Sequence, residues 1–251
     1  MIFSIYFLPH LLNDTKNLGL FGQAIVDTNK AIEINPESAE LYVVRSQTYL
    51  ALEDDEKAMD DCNRSLALDP KNAIAYSIRG VINAKLGNID EARSNCEKAI
   101  LLEPNNPVLY LHYALALFFG DLTTNGPGDL SRSAIEKASR AIDIDSLFSE
   151  AYVIRGMARS NLKDYEMAIK DCQKAIEINP EQPGFYDMCG MVYRDMKQYD
   201  LALKYHEKAI SLNPGNKKFY KNMSLVYVNA ALDSVKSHDY ENIVDPETWT
   251  V

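Results

Sequence analysis

Four cysteines and four histidines are the side chains of this 251-residue chain best suited to nucleophilic, redox or metal chemistry. Their spacing assembles none of it. Cys62, Cys96, Cys172 and Cys189 include no pair at a CxxC interval, and no histidine lies at ligand spacing beside them. They are expected to be small buried thiols in a reducing compartment. His10, His112, His206 and His238 stand in four unrelated contexts. His112 is a candidate pH-sensitive contact of a binding surface, but alone it makes no catalytic site. The chain has no GxSxG turn, phosphate-binding loop or dinucleotide glycine fingerprint. The acidic run Glu53-Asp54-Asp55-Glu56 lacks calcium-loop spacing and reads as a solvated turn. The expectation is a protein that is not an enzyme, with no catalytic residue, cofactor or metal.

Bulk properties bound the alternatives. An apolar content of 47% is enough to bury a substantial core, and a charged fraction of 25% argues against general disorder. The formal net charge of −10 repels phosphate backbones, which disfavours nucleic acid and anionic membrane surfaces as partners. No apolar run approaches the roughly 20 residues of a spanning helix, so the expected location is cytoplasmic.

An internal period organises everything else. Ala31-Ile32-Glu33-Ile34-Asn35-Pro36 recurs almost unchanged at Ala175-Ile176-Glu177-Ile178-Asn179-Pro180. Related segments end at Pro70, Pro104, Ser146 and Pro214, at intervals of 34 except for one step of 42. With the proline as position 32 of a unit, further columns align. Position 4 is aromatic (Tyr42, Tyr76, Tyr110, Tyr152, Tyr186, Tyr220) and position 8 is small (Ser46, Gly80, Ala114, Gly156, Gly190, Ser224). Position 20 is alanine (Ala24, Ala58, Ala92, Ala134, Ala168, Ala202), and position 27 is alanine in all but one unit. Such a unit folds as two antiparallel helices: small residues let them approach, the aromatic fills the gap between neighbours, and proline stops the second helix. Neither helix pair can bury its apolar face alone, so the units must stack.

These residues resemble the tetratricopeptide repeat family over about residues 15 to 235. The resemblance implies an all-α, right-handed superhelical solenoid whose first helices line a concave groove. It divides the chain into a degenerate first repeat at 1–38, five full repeats over 39–216, and a C-terminal helix with an acidic tail at 217–251. A subgroup of the family grips a terminal carboxylate with Lys, Asn and Arg. Val43, Gln47, Ile74 and Ile78 occupy those slots here, and Lys218, Lys221 and Asn222 do not restore the set.

Several stretches depart from the pattern. The apolar segment Met1–Leu12 reads as a degenerate helix or as a weak export or anchoring segment. The eight extra residues fall in Gly120–Leu130, whose three glycines and Pro127 predict a loop, either a partner contact or a tolerated insertion. After Val235 the repeat is lost, and Trp249 either caps the last helix, forms a terminal recognition motif or lies in a disordered tail. Arg45, Arg79 and Arg155 share position 7, as a ladder for an acidic partner or as partners of carboxylates on the adjacent helix.

If the family geometry holds, the groove is apolar in its first two-thirds and charged at its end. The candidate contacts are Val44, Ile78, Val81, His112, Leu115, Ile154, Met157 and Met191. Such a strip suits an amphipathic helix or extended peptide of another protein, the methionines adding adaptable surface. The expected function is therefore a protein–protein adaptor or scaffold. The alternatives are a self-associating structural subunit (a homo-oligomer) and a co-chaperone lacking the carboxylate clamp. Glutamates at Ile78 and Ile154 are expected to keep the fold and abolish partner binding.

Overall fold

Runs of Ala, Leu, Glu and Lys between punctuating prolines fold as helices, and the computed structural model describes residues 15–124 and 128–243. Among the described residues it contains twelve helices and no strand. They are α1 (Thr15–Ile34), α2 (Ala39–Ala51), α3 (Asp55–Leu68), α4 (Ala73–Lys85), α5 (Ile89–Leu102) and α6 (Pro107–Thr124). The second half comprises α7 (Asp129–Ile144), α8 (Ser149–Asn161), α9 (Tyr165–Ile178), α10 (Pro183–Asp195), α11 (Tyr199–Leu212) and α12 (Lys217–Ile243). Each helix packs on its chain neighbours, and α4 also packs on α6, so the array is a solenoid of helix pairs. Met1–Leu12, the centre of the insertion and the tail with Trp249 lie outside the described residues.

The small columns do what their size implies. Ala58, Ala134, Ala168 and Ala202 at position 20, and Ala99, Ala141, Ala175 and Ala209 at position 27, have no exposed surface. At position 8, a Cβ on Gly190 would lie 2.8 Å from two ring atoms of His206, and one on Gly80 would overlap Cys96 Sγ. At Gly80 and Gly190 position 8 is therefore glycine because position 24 of the partner helix fills its space, whereas at Gly156 the space is taken by Met188, Ala168 and Asp171. The tyrosine column has a polar task as well. Tyr42, Tyr110 and Tyr186 donate their hydroxyls to the carbonyls of Pro36, Pro104 and Pro180 at 3.0–3.1 Å, and Tyr152 does the same to Ser146 at 3.2 Å. The proline ends one helix and its carbonyl anchors the next.

Position 7 fastens the joints. Arg45 donates to Asp61 of its own second helix at 2.6 and 2.8 Å and to Asn29 of the preceding one at 2.7 Å. Arg155 repeats this with Asp171 and Ser139, and Arg79 with the amide oxygens of Asn95 and Asn63. Tyr113 takes the same place in its repeat and reaches back to Glu97 at 3.1 Å. The carboxylate pairing expected of these arginines holds for Arg45 and Arg155. The reach to the preceding repeat is additional.

In the fifth full repeat the column holds Cys189, which is disulfide-bonded to Cys172 of the preceding repeat. This corrects the expectation of four free thiols. A cysteine in place of the arginine directs its sulfur at position 24 of the repeat before, where Cys172 already stands. Cys62 and Cys96 meet no such partner and are free and buried, and burial pushes the Cys62 thiol up to about 12. With one pair bonded, the cysteine content is no longer a ground for inferring a reducing compartment. Among the described residues no helix is long and apolar enough to cross a membrane.

Two helices exceed their expected bounds. The first helix of the inserted repeat, α6, runs through Gly120 to Thr124, and α7 begins at Asp129, so most of the insertion is helix where a loop is predicted. A Cβ on Gly120 would lie 2.9 Å from Ile89 and 3.1 Å from Leu130, so this glycine serves close packing and does not break the helix. Likewise α12 continues past Val235 to Ile243.

Candidate protein-binding groove

The first helices α2, α4, α6, α8, α10 and α12 share one face of the solenoid, and two cavities open on it. The N-terminal cavity, about 550 Å³, is lined by Val43, Val44 and Gln47 of α2, Ile74 of α4, and Val108 and His112 of α6. Charged groups at its edge are Glu40, Asp69, Lys71 and Glu103. The C-terminal cavity, also about 550 Å³, is lined by Phe118, Phe119 and Leu122 of α6, Met157 of α8, and Met188, Met191 and Val192 of α10. Lys163, Arg194, Asp195 and Lys218 complete its edge.

The eight candidate contacts divide into two sets. Val44 (38% exposed) and His112 line the N-terminal cavity, while Met157 and Met191 line the C-terminal one. Ile78 and Ile154 have no exposed surface, and Val81 and Leu115 are nearly as deep. These four line neither cavity and belong to the two hydrophobic cores. Small residues such as Ala75, Ala84, Ala114 and Ala116 bring the first helices close, so positions 6 and 9 are enclosed by the neighbouring helix. An apolar strip along the whole groove is thereby corrected to two separated cavities. Glutamate at Ile78 or Ile154 would bury an unpaired charge, which overturns the expectation that such a variant keeps its fold.

His112 is also corrected. Its Nδ1 lies 2.5 Å from the Ser77 hydroxyl, and burial pushes its pKa down to about 3. It therefore stays neutral across the physiological range and is no pH-sensitive contact. Asp187 of α10 and Asn222 of α12 are buried in a polar network. Asp187 Oδ1 lies 2.8 Å from His206 Nδ1, and its Oδ2 accepts from Asn222 Nδ2 at 2.8 Å. Lys218 does reach the C-terminal cavity, where desolvation lowers its pKa against the opposing pull of Asp187.

The part of the C-terminal cavity wall formed by Leu122 was not legible, because glycine content assigned Gly120–Leu130 to a loop. It is held by a polar cluster in which Asp121 and Ser131 are buried and Asn161 lies at the surface. Ser131 donates to Asp121 Oδ2, and Asn161 Nδ2 donates to the same oxygen at 3.0 Å and to Ser131 Oγ at 2.9 Å. This cluster joins the extended end of α6 to α7 and α8, and so sets the cavity wall against Met157.

Models of the tetratricopeptide repeat match residues 39–72, 73–106, 149–182 and 189–216, together just over half of the chain. No curated protein matches the chain. Among solved structures, TTC0263, a thermophilic repeat protein of this type from Thermus thermophilus, aligns with a TM-score of 0.70 and 16% identity. That alignment covers 76% of this chain and 100% of the other. A tetratricopeptide repeat protein from Parabacteroides merdae aligns with a TM-score of 0.67 and 17% identity, over 84% of this chain and 80% of that one. The Cut9–Hcn1 hetero-tetramer of the APC/C gives 0.65 and 20%, over 83% of this chain and 40% of that one. At these identities the likeness concerns the fold, and together with the matched units it establishes that the chain belongs to the tetratricopeptide repeat family.

Proposed function

We propose that this protein is an adaptor that holds a short peptide or helical segment of another protein against the face of its first helices. The observation carrying the reading is the C-terminal cavity, where aromatic and methionine side chains line a space of about 550 Å³ and cationic groups stand at its edge. A cavity of this size accepts two or three apolar side chains, and methionine surfaces adapt to differing shapes. The N-terminal cavity on the same face supplies a second point of contact for a longer ligand. The family serves generally in protein recognition, which agrees with this reading. Catalysis has no support in the two described interior histidines: His112 is a neutral core residue, and His206 is enclosed with Asp187.

The test replaces Met157 and Met191 by Glu. Both side chains are partly exposed, so the double variant is expected to keep its helical circular dichroism and melting temperature. Affinity capture with the wild-type chain and with this variant is then compared. Partners held by the wild type and lost from the variant support the reading, whereas an unchanged set of partners removes the cavity from the function.

A further inference from the structure

Where position 8 is glycine, the side chain at position 24 has a niche to fill. In the second full repeat Cys96 Sγ fills the space beside Gly80, and in the fifth the His206 ring fills that beside Gly190. The fourth full repeat departs from this. A Cβ on Gly156 would lie 2.5 Å from Met188 Cε and 3.2 Å from Ala168 O and Asp171 Cβ, and Cys172 is not among these nearest neighbours. The Cys172 sulfur of α9 is turned instead to Cys189 of α10, with which it is bonded. The methyl group of Met188 occupies the niche that this sulfur leaves.

Met188 is 1% exposed and also lines the C-terminal cavity. One niche thus has two claimants, the Cys172 sulfur and the Met188 methyl, and close packing admits one of them. Reduction frees the sulfur. A dithiol reductant breaks the Sγ–Sγ bond: its two thiols supply two electrons and two protons and close into their own disulfide, leaving two cysteine thiols. Both cysteines lack exposed surface, so the exchange proceeds as α10 parts locally from α9. With its sulfur free, Cys172 can stand before Gly156 as Cys96 stands before Gly80, on the same two columns of an equivalent helix pair. Met188 then leaves the niche and turns into the cavity, which its flexible, unbranched chain can fill.

We propose that the Cys172–Cys189 bond is a redox switch of the C-terminal cavity: oxidised, the cavity is open, and reduced, Met188 fills it. The inference rests on the reading of this cavity as a binding site, but its test needs no partner. The probe is anilinonaphthalene sulfonate, an aromatic anion suited to an apolar cavity with cations at its edge. The full chain is titrated with it, oxidised and reduced, and the methyl resonance of Met188 is followed in methionine-labelled protein. Reduction should weaken dye binding about tenfold and move the resonance. Cys189→Ser frees the same sulfur and should behave as the reduced chain with or without reductant. Cys172→Ala also lacks the bond but sets no sulfur before Gly156, so it should bind as the oxidised chain does. Equal weakening in the two variants means a loosened joint, not a contested niche, and overturns the proposal. So does a dye affinity or a Met188 resonance that reduction leaves unchanged, and so does an oxidised chain that takes no dye. Partner capture with the Met157 and Met191 variant reads what the cavity holds and is blind to the sulfurs, so the two readings can fail separately.

Discussion

Individual side chains divide sharply between those that hold the repeat and those that face a ligand, and the sequence shows the first class better. The small and aromatic columns are legible because each repeats six times. The direction of positions 6 and 9 is not, because it depends on how closely neighbouring first helices approach. Ile78 and Ile154 are the consequence. Each is expected to lose about 3–5 kcal/mol of stability as Glu, read by urea unfolding, because the new carboxylate would be buried without a partner. His112 gives a second expectation. Its depressed pKa means the unfolded chain binds a proton first, so stability falls as pH drops from about 6.5 toward about 3. Between pH 6.5 and 5 this costs about 2 kcal/mol, and His112→Gln should flatten that part of a stability–pH curve.

Helices and their joints come next in scale. Starts, stops and turns follow from proline and the residue before it, which is why the element order was legible. The lengths of α6 and α12 were not. Gly120 reads as a breaker in a string of letters, yet contact with Ile89 and Leu130 makes it a packing residue. The repeated separation of 16 residues between Arg45 and Asp61 or Arg155 and Asp171 is visible only once both helices are in place. The two joints are unequal. Asp171 also accepts from Arg159 at 2.6 Å, whereas Asp61 has no second cation among the described residues. Arg45→Ala is therefore expected to cost about 3 kcal/mol and Arg155→Ala about half that, compared by chemical unfolding.

The whole molecule is a chain of nearest-neighbour contacts in which the fourth and fifth full repeats share a covalent bond. Closing the 17-residue interval between Cys172 and Cys189 stabilises by about 3 kcal/mol in the chain-entropy picture. Unfolded protein without reductant should accordingly show two reactive thiols, Cys62 and Cys96, and four after reduction, with a lower melting temperature. Four reactive thiols before reduction would remove the bond. The bond also changes what a cut in the backbone means. Glu181 lies in the exposed turn between α9 and α10, inside the loop that the two sulfurs close. A protease that cleaves there divides the polypeptide without separating it: one band on a gel without reductant, two with it. At this joint the solenoid keeps its connectivity through sulfur when the peptide bond is gone, and nicked molecules remain single particles.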